Sequence, residues 1–483
     1  MKGPFITNLF LSLFLNLLIK PVSLLVIDAE VQNKVGPENY GLYFTLLNLS
    51  ALFNILIDLG INNYTIRRLA QDPNQATKYI GRVIILRILL FTIYCIVTLF
   101  FALIIGYKGK ELLLIGILII NQLLIMFISF ARSYFSGLHY FKTDSIISVL
   151  DRFLLIFLCG ALLFTNITST PFQIEWYVYI QSVCYFTTVV VSYFMLSKIV
   201  LINEFTLDRK FSIQVIRESS PYALLIVLML FYTRSDSVIL ERLHEYGRFE
   251  AGIYAQGFRI LDALYMFGMV FVMLLFPMFS RILKQSKKDI IPLLQTSGNL
   301  LIGGSAVLVI ALCFNDKTVL NWIYDANITE SSKSFDWLML GFFSLSINFI
   351  FGTLLSANGN FKALNYVSVV AVVFNIGLNI LVAPKYGSEG TALIFFLTQT
   401  GVSITQFILT KKIIGIKFIP SLVVKHVLVI CPLMIGGLCF PQSAVLFIIQ
   451  ILIGCLMLFT LRIVDLRELK NSFIPPKETI NNN

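Results

Sequence analysis

Uninterrupted apolar runs of about 20 residues, the length that one α-helix needs to cross the hydrocarbon core of a bilayer, recur along the whole chain. Hydrophobic residues make up 57% of the 483 residues and charged residues only 13%. A soluble domain carries about 25% charged residues. The runs therefore exclude a soluble protein. They also exclude a transmembrane β-barrel, because they do not alternate in polarity.

We predict an all-α polytopic membrane protein with about fourteen transmembrane helices. Glycine, proline and polar residues separate the apolar runs, and the connections between them reach about twenty residues at most. The predicted spans are 5–27, 40–61, 84–105, 112–131, 146–165, 176–197, 218–240, 253–279, 291–315, 336–356, 364–383, 390–410, 420–440 and 443–462.

The distribution of positive charge predicts the orientation of the chain. With the N-terminus inside, the cytoplasmic segments hold 26 of the 37 Lys and Arg residues and the outer segments hold 8. Positive residues are retained on the cytoplasmic side of a membrane. We therefore expect both termini to be cytoplasmic. The same placement accounts for the net charge of +11 without a nucleic-acid partner.

Two short patterns occur twice in the sequence. The frame G-x-x-x-x-G-x-Y is found at Gly36–Tyr43 and again 211 residues later at Gly247–Tyr254. A Phe-Lys pair followed by Ser-Val is found at Phe141–Val149 and again 220 residues later at Phe361–Val369. Each offset contains six spans, so both copies have the same orientation. This predicts two six-helix lobes, related by a parallel repeat whose axis lies along the membrane normal.

The repeat divides the chain into four predicted parts. Residues 1–199 form an N-lobe with spans 1–6, and residues 218–414 form a C-lobe with spans 7–12. Residues 200–217 form a cytoplasmic linker that we expect to lie on the membrane surface. Residues 415–483 add the last two spans and a cytoplasmic tail, which we expect to be disordered from Arg467 onward.

Charged residues within the spans are the candidate functional residues. A charge at bilayer depth costs at least about 2.5–3.5 kcal/mol, so it is a functional candidate by default. Three cations fall at similar depth: Lys20, Arg234 and Arg259. Asp236 and Asp262 lie near two of them in the sequence, and Asp58 lies near the inner end of the second span. Three structural alternatives stay open: Arg259 and Asp262 neutralise each other, Asp58 helps to end its helix at Gly60, and Lys20 extends its amine to the membrane interface.

Motifs of catalysis and nucleotide binding are missing from the sequence. It contains no G-x-x-x-x-G-K-[ST] loop, no H-E-x-x-H and no nucleophile elbow. We therefore expect no enzyme and no cofactor, and a transport step driven by an ion gradient or by the gradient of the substrate. Tyr40, Tyr43 and Tyr254 at helix mouths are interpreted as an interfacial aromatic belt, with sugar stacking as the alternative.

Several segments resemble a known family. Gly36–Tyr43, the Asp58-Leu-Gly-Ile-Asn-Asn stretch and the Arg67-Arg68 pair resemble the N-terminal signature of Wzx-type polysaccharide flippases. The segments 232–236 and 252–254 are similar to the seventh and eighth spans of that family. These O-antigen flippases belong to the multidrug/oligosaccharidyl-lipid/polysaccharide exporter superfamily, and fourteen spans arranged as 6+6+2 are their architecture.

The resemblance implies a function in lipopolysaccharide biosynthesis. It implies that the chain flips undecaprenyl-diphosphate-linked oligosaccharide repeat units from the cytoplasmic to the periplasmic leaflet of a bacterial inner membrane by alternating access. In that case Lys20, Arg234 and Arg259 would hold the diphosphate. Asp58, Asp236 or Asp262 would carry a coupling H⁺ or Na⁺. The implied partners are the lipid-linked oligosaccharide, membrane lipid and glycan polymerase machinery, with a monomer as the functional unit.

Three alternatives remain open at this stage. A lipid II flippase has closely similar architecture. A multidrug exporter of the same superfamily would use the fold for organic cations, which a cation-rich cleft repels. A membrane-embedded glycosyl polymerase or ligase would be an enzyme, but such enzymes usually need a large periplasmic loop, and the loops predicted here are short.

The predicted orientation has a direct test. Single cysteines replacing Lys108 or Lys333, in a background without the seven native cysteines, should react with an impermeant maleimide in intact spheroplasts, since both positions lie in predicted periplasmic loops. A cysteine replacing Lys287, in a predicted cytoplasmic loop, should react only after permeabilisation. Equal labelling of position 287 in intact spheroplasts would show that the orientation is inverted.

Overall fold

The structure is a computed structural model that describes residues 2–165, 170–201, 205–206, 208–285, 289–415 and 420–464. Within these ranges the secondary structure is helical, without a β-strand. The α-helices are α1 (Lys2–Val22), α2 (Ala29–Leu52), α3 (Ile55–Asp58), α4 (Ile61–Gln71), α5 (Ala76–Ile105), α6 (Lys110–Gly137), α7 (Phe141–Phe164), α8 (Ile174–Ser197), α9 (Arg209–Leu243), α10 (Gly247–Gln285), α11 (Ile290–Cys313), α12 (Asp316–Asn321), α13 (Ile328–Ala357), α14 (Phe361–Ile414), α15 (Pro420–Cys439) and α16 (Ala444–Thr460).

The fourteen predicted spans are found in these helices. Ten helical segments of the described chain are long and apolar enough to cross a membrane. Two of them, Ser12–Gln71 and Phe361–Ile414, each contain two predicted spans. The shorter apolar helices Val424–Cys439 and Ala444–Thr460 correspond to the last two predicted spans. The expected all-α polytopic fold is therefore confirmed.

Two glycines divide the longest helical segments at the predicted connections. Gly36 has φ 78° and ψ 165° within α2, and Pro37 follows it. Gly387 has φ 53° and ψ −137° within α14, three residues after Pro384. Glycine adopts positive φ without the steric cost that a Cβ atom imposes, and proline removes one helical hydrogen-bond donor. Each break separates two apolar runs that would otherwise form a single helix.

The second repeated pattern marks the same turn in both copies. Helix α7 begins at Phe141 and α14 begins at Phe361. Two residues earlier, His139 has φ 65° and Gly359 has φ 77°. The Tyr140 amide donates to the Phe135 carbonyl, and at the same offset of 220 residues the Asn360 amide donates to the Leu355 carbonyl. The two segments therefore share a backbone conformation as well as a sequence pattern.

The chain forms two compact units. The first comprises Met1–Ala263, Ile323–Asn327 and Ser368–Ile394, and the second comprises Leu264–Trp322, Ile328–Val367 and Phe395–Asn483. These units group residues by packing, and their boundaries differ from those of the predicted lobes. The division into lobes by sequence repeat stays a prediction. Residues 202–204 and 207 of the predicted linker and residues 465–483 of the predicted tail lie outside the described residues.

In the first unit, a core of apolar residues joins the adjoining ends of several helices. It combines residues of α4, α5 and α6 with Tyr185 of α8 and with Phe211 and Val215 at the start of α9. Residues 209–217, which we expected in a surface linker, instead begin α9 and continue directly into the seventh span.

In the second unit, the last two helices pack on α11. Val307 contacts a cluster that includes Val429 and Leu433 of α15 and Leu458 of α16. Polar contacts fix the arrangement, since the Asn315 amide donates to Gln450 Oε1 over 2.8 Å and Gln450 Nε2 donates to the Leu433 carbonyl over 3.0 Å. Buried polar groups of this kind need a partner when water is excluded.

Candidate functional site

A buried ion pair between Asp28 and Arg259 lies within the first unit. The Arg259 Nε atom lies 2.6 Å from Asp28 Oδ2, and the two side chains are 7% and 3% exposed. Asp28 ends a π-helical turn, Ser23–Asp28, between α1 and α2. Such turns interrupt α-helices frequently at functional sites. Sequence analysis did not single out Asp28.

Two tyrosines complete the surroundings of Asp28. The Tyr177 hydroxyl donates to Asp28 Oδ1 over 2.7 Å, and the Tyr40 hydroxyl donates to Asp28 Oδ2. Arg259 Nε also donates to the Tyr40 oxygen over 2.7 Å. Helices α2, α8 and α10 therefore meet the π-turn at one carboxylate. Bonds to a charged group are stronger than bonds between neutral groups, so this centre fixes the positions of all four elements.

Asp262 connects Arg259 to Arg234. The Arg234 guanidinium forms two bonds with the Asp262 carboxylate, of 2.8 Å from Nη2 and 3.3 Å from Nη1. Arg259 Nη1 lies 3.6 Å from the same carboxylate. The structure thus joins two of the three predicted cations through one of the predicted carboxylates. Arg234 keeps 27% of its side chain exposed, whereas Arg259 is buried.

Lys20 lies in a second group of charges. The ionised groups that act on it are Arg132, Asp144, Asp151 and Arg152. Arg152 also stacks over the Tyr185 ring. In the part of the chain that the structure describes, no carboxylate lies within the 4.0 Å ion-pair distance of the Lys20 amine. This group carries three cations and two carboxylates, so one positive charge is left over.

Asp236 has neutral partners. It is 1% exposed, and its carboxylate accepts hydrogen bonds from Asn379 Nδ2 over 2.9 Å and from the Tyr254 hydroxyl over 3.2 Å. The Asn375 amide acts on the same carboxylate. Among the described residues no cation lies within ion-pair distance of it. Arg234, two residues away, points instead to Asp262.

Asp58 is part of a structural ion pair. Its Oδ1 atom lies 3.0 Å from Arg87 Nη2 and accepts the Asn62 backbone amide over 3.2 Å. Helix α3 ends beside it at Leu59 and Gly60, which have φ 44° and 83°. The alternative interpretation, that Asp58 helps to end its helix, agrees with this geometry. Arg87 is fully buried and also donates to Asn62 Oδ1 over 2.7 Å.

The interpretation of the three tyrosines as an interfacial belt is wrong. Tyr40, Tyr43 and Tyr254 are 0–1% exposed. Their hydroxyl groups bond to Asp28, Gln181 and Asp236 within the protein. A tyrosine in an interfacial belt would place its hydroxyl at the head groups. Their position at helix mouths is therefore explained by buried carboxylates and amides.

Sequence reasoning missed two features of these groups. Asp28 lies one residue beyond the predicted end of the first span, so it is not among the charged residues within the predicted spans. The Asp151-Arg152 pair lies inside the fifth predicted span, so its intramembrane position was a signal that could have identified it. The Asp28–Arg259 pairing itself, over 231 residues, has no local sequence signal.

Comparison with known proteins supports the fold and identifies a family. The family profile described as polysaccharide biosynthesis protein matches residues 5–283, more than half of the chain. No curated protein matches the sequence.

Several solved structures share the fold. The lipid II flippase MurJ, in an inward closed conformation, is 16% identical with a TM-score of 0.70, and the match covers 96% of this chain and 99% of that chain. An inward-facing multidrug resistance MATE family transporter of the MOP superfamily is 14% identical with a TM-score of 0.58, covering 82% and 94%. A mutant of the MATE transporter VcmN of Vibrio cholerae is 13% identical with a TM-score of 0.56, covering 84% and 95%.

The contacts of Asp58 predict a stability effect. Arg87→Ala should lower the free energy of unfolding by about 3–5 kcal/mol, because it leaves Asp58 without its cation and opens a cavity. Unfolding in detergent micelles measures this change. Arg67→Ala is the matched control, since Arg67 is exposed, and it should stay within about 0.5 kcal/mol of wild type. A fully stable Arg87→Ala protein would return Asp58 to the candidates for ion coupling.

Proposed function

The chain belongs to the polysaccharide biosynthesis protein family, and on that premise we propose that it is a flippase for undecaprenyl-diphosphate-linked oligosaccharides. It would move O-antigen repeat units from the cytoplasmic to the periplasmic leaflet of a bacterial inner membrane, with both termini in the cytoplasm. A diphosphate-linked sugar is too polar to cross hydrocarbon unaided. The head group needs a polar path while the polyprenyl tail stays in lipid.

The observation that carries this proposal is the surplus of positive charge in the Lys20 group. Arg234 and Arg259 are balanced by Asp28 and Asp262, whereas the Lys20 group has one cation more than carboxylates. An uncompensated amine inside a membrane protein is expensive unless an anion visits it. A diphosphate is such an anion. The surplus also disfavours organic cations, the substrates expected of a multidrug exporter.

The geometry supports different tasks for the two arginines. Arg259 is buried, and Asp28 and Tyr40 hold its guanidinium in place. It is therefore a fixed positive charge that a substrate does not contact directly. Arg234 is 27% exposed and contacts a single carboxylate, so it is the arginine that a head group reaches. A phosphate that binds Arg234 replaces Asp262 with an equivalent pair of acceptors, because the guanidinium fork fits both groups.

Asp236 is the carboxylate best suited to carry a coupling ion. Asp58 and Asp262 are each engaged with an arginine, but Asp236 is buried among neutral groups. A buried carboxylate without a cation is costly, so it takes up a proton or a metal cation. The Asn379 Oδ1 atom, which is buried and lacks a hydrogen-bond partner in the described chain, offers a second oxygen ligand for Na⁺.

Substitution of Arg234 tests the substrate site. Arg234→Ala should abolish rescue of a flippase-deficient strain at normal membrane levels of the protein, because the exposed phosphate ligand is lost. Arg234→Lys should keep partial rescue if charge dominates and little if the bidentate geometry does. Arg209→Ala, an exposed arginine on the same helix, is the control and should rescue fully. Full rescue by Arg234→Ala would remove Arg234 from the substrate site. Parallel assays with lipid II distinguish the two lipid-linked substrates.

Substitution of Asp236 tests ion coupling. Reconstituted vesicles with an imposed Na⁺ or pH gradient should show faster flipping for wild type, and Asp236→Asn should flip at a rate independent of either gradient. A potential of 100 mV supplies about 2.3 kcal/mol per charge, which is roughly a fifty-fold bias. Asp325→Asn, at an exposed carboxylate, should behave like wild type. A gradient response retained by Asp236→Asn would exclude this residue as the carrier.

A further inference from the structure

The two copies of the repeated glycine frame contact each other reciprocally. In the frame G-x-x-x-x-G-x-Y, Pro37 and Arg248 hold the second position, and Gly41 and Gly252 hold the sixth. A Cβ atom on Gly41 would overlap the Arg248 carbonyl oxygen, and a Cβ atom on Gly252 would overlap the Pro37 carbonyl oxygen. The sixth position of each copy thus meets the second position of the other, which is the pattern of a two-fold contact.

The proposed function requires that the transport path be closed on the outer side whenever it is open on the inner side. We infer that this reciprocal glycine crossing is the outer closure of the path, an inference that rests on the proposed function. Helices α2 and α10 meet there backbone against backbone, because neither glycine carries a side chain. The Gln32 amide adds a bond of 2.8 Å to the Gly252 carbonyl. Gly41 and Gly252 are therefore required for closure rather than for binding.

A set of charged residues, the outer latch, ties the start of α6 to the second copy of the frame beside the crossing. It consists of Glu111 at the start of α6 and Glu241, Arg242 and Arg248 at the turn between α9 and α10. Glu111 contacts Arg248 and lies 3.6 Å from Arg242. Glu241 lies 2.9 Å from Arg242 and 3.5 Å from Arg248. Two carboxylates thus share two guanidinium groups.

Tyr107, in the loop before α6, joins the outer latch. Its hydroxyl donates to Glu241 Oε2 over 3.0 Å, and Arg242 lies 3.6 Å from its ring centroid. Burial raises the pKa of Tyr107 above its ordinary value, so the hydroxyl stays protonated and remains a donor. The Arg248 side chain is 47% exposed, and partly exposed ion pairs are weak enough to break and re-form. The latch therefore holds the closure reversibly.

Open space lies beyond the crossing, toward the predicted inner side. About ten ångströms below Gly41 along α2, Asn48 Nδ2 donates to Ser237 Oγ over 3.0 Å. Further inward, a cavity of about 230 Å³ lies between α3, α4, α5, α6 and α9, lined by Asp58, Arg87 and Leu230 among others. Closed packing at the outer end and open space at the inner end agree with a closure located at the glycine crossing.

The closure can be tested by accessibility, which needs no substrate. In a cysteine-free background, Asn48→Cys should be protected from an impermeant methanethiosulfonate added to spheroplasts. Adding Gly41→Leu should make this cysteine reactive, with at least a ten-fold higher labelling rate, because a leucine side chain cannot fit against the Arg248 backbone. Gly116→Leu is the matched control: nothing lies within 4 Å of a Cβ atom there, so protection should persist.

A cross-link provides a second test that does not depend on how well the glycine variants fold. Cysteines at Glu111 and Arg248, joined by a short bifunctional thiol reagent with a cleavable disulfide, should abolish flipping and restore it on reduction. As the control, cysteines at Lys108 and Lys110, two exposed positions beside the start of α6 that are not part of the latch, should be joined without loss of flipping. Flipping by the joined Glu111/Arg248 protein, or protection of Asn48→Cys in a folded Gly41→Leu protein, would overturn the inference. Absence of flipping by wild type would instead overturn the proposed function, and the accessibility result would still decide whether the closure exists.

Discussion

Ionised groups in a low-dielectric interior must be compensated, and the Asp28–Arg259 pair is the contact on which the surrounding helices depend. It brings together the π-helical turn after α1, Tyr40 of α2, Tyr177 of α8 and Arg259 of α10. Removal of either partner would leave the other charged in a site that excludes water. Asp262 extends the pair to Arg234, so the partly exposed arginine is connected through two carboxylates to the π-turn.

The constraints that shaped the fold are mostly local, which is why they could be recognised in the sequence. The bilayer requires apolar runs of a fixed length, and this requirement located the fourteen spans. Gly36 and Gly387 divide two long helices where the predicted connections lie, because glycine tolerates the backbone conformation of a reversal. Span ends were less accurate, since α9 begins at Arg209 within the predicted linker.

The pairing of the charged side chains could not be predicted from local sequence. Arg259 and Asp262 share a helical face, yet the short contact of Arg259 is to Asp28, and Asp262 is used mainly by Arg234. Helical spacing places residues on a face but does not decide which distant side chain fills the space opposite. The buried tyrosines illustrate the same limit. A tyrosine near a span end has the same local sequence whether its hydroxyl meets head groups or a carboxylate in the interior.

The matching turns before α7 and α14 show how a structural repeat can be recognised. Both hold one residue at positive φ and repeat the same backbone bonds, but one copy uses Gly359 and the other uses His139. A left-handed conformation costs a residue with a side chain roughly 1–2 kcal/mol. The two halves thus share the shape of the turn, although only the second has the glycine that favours it. A repeat of this kind can therefore be recognised from matching dihedral angles and hydrogen bonds at positions where the residue types differ.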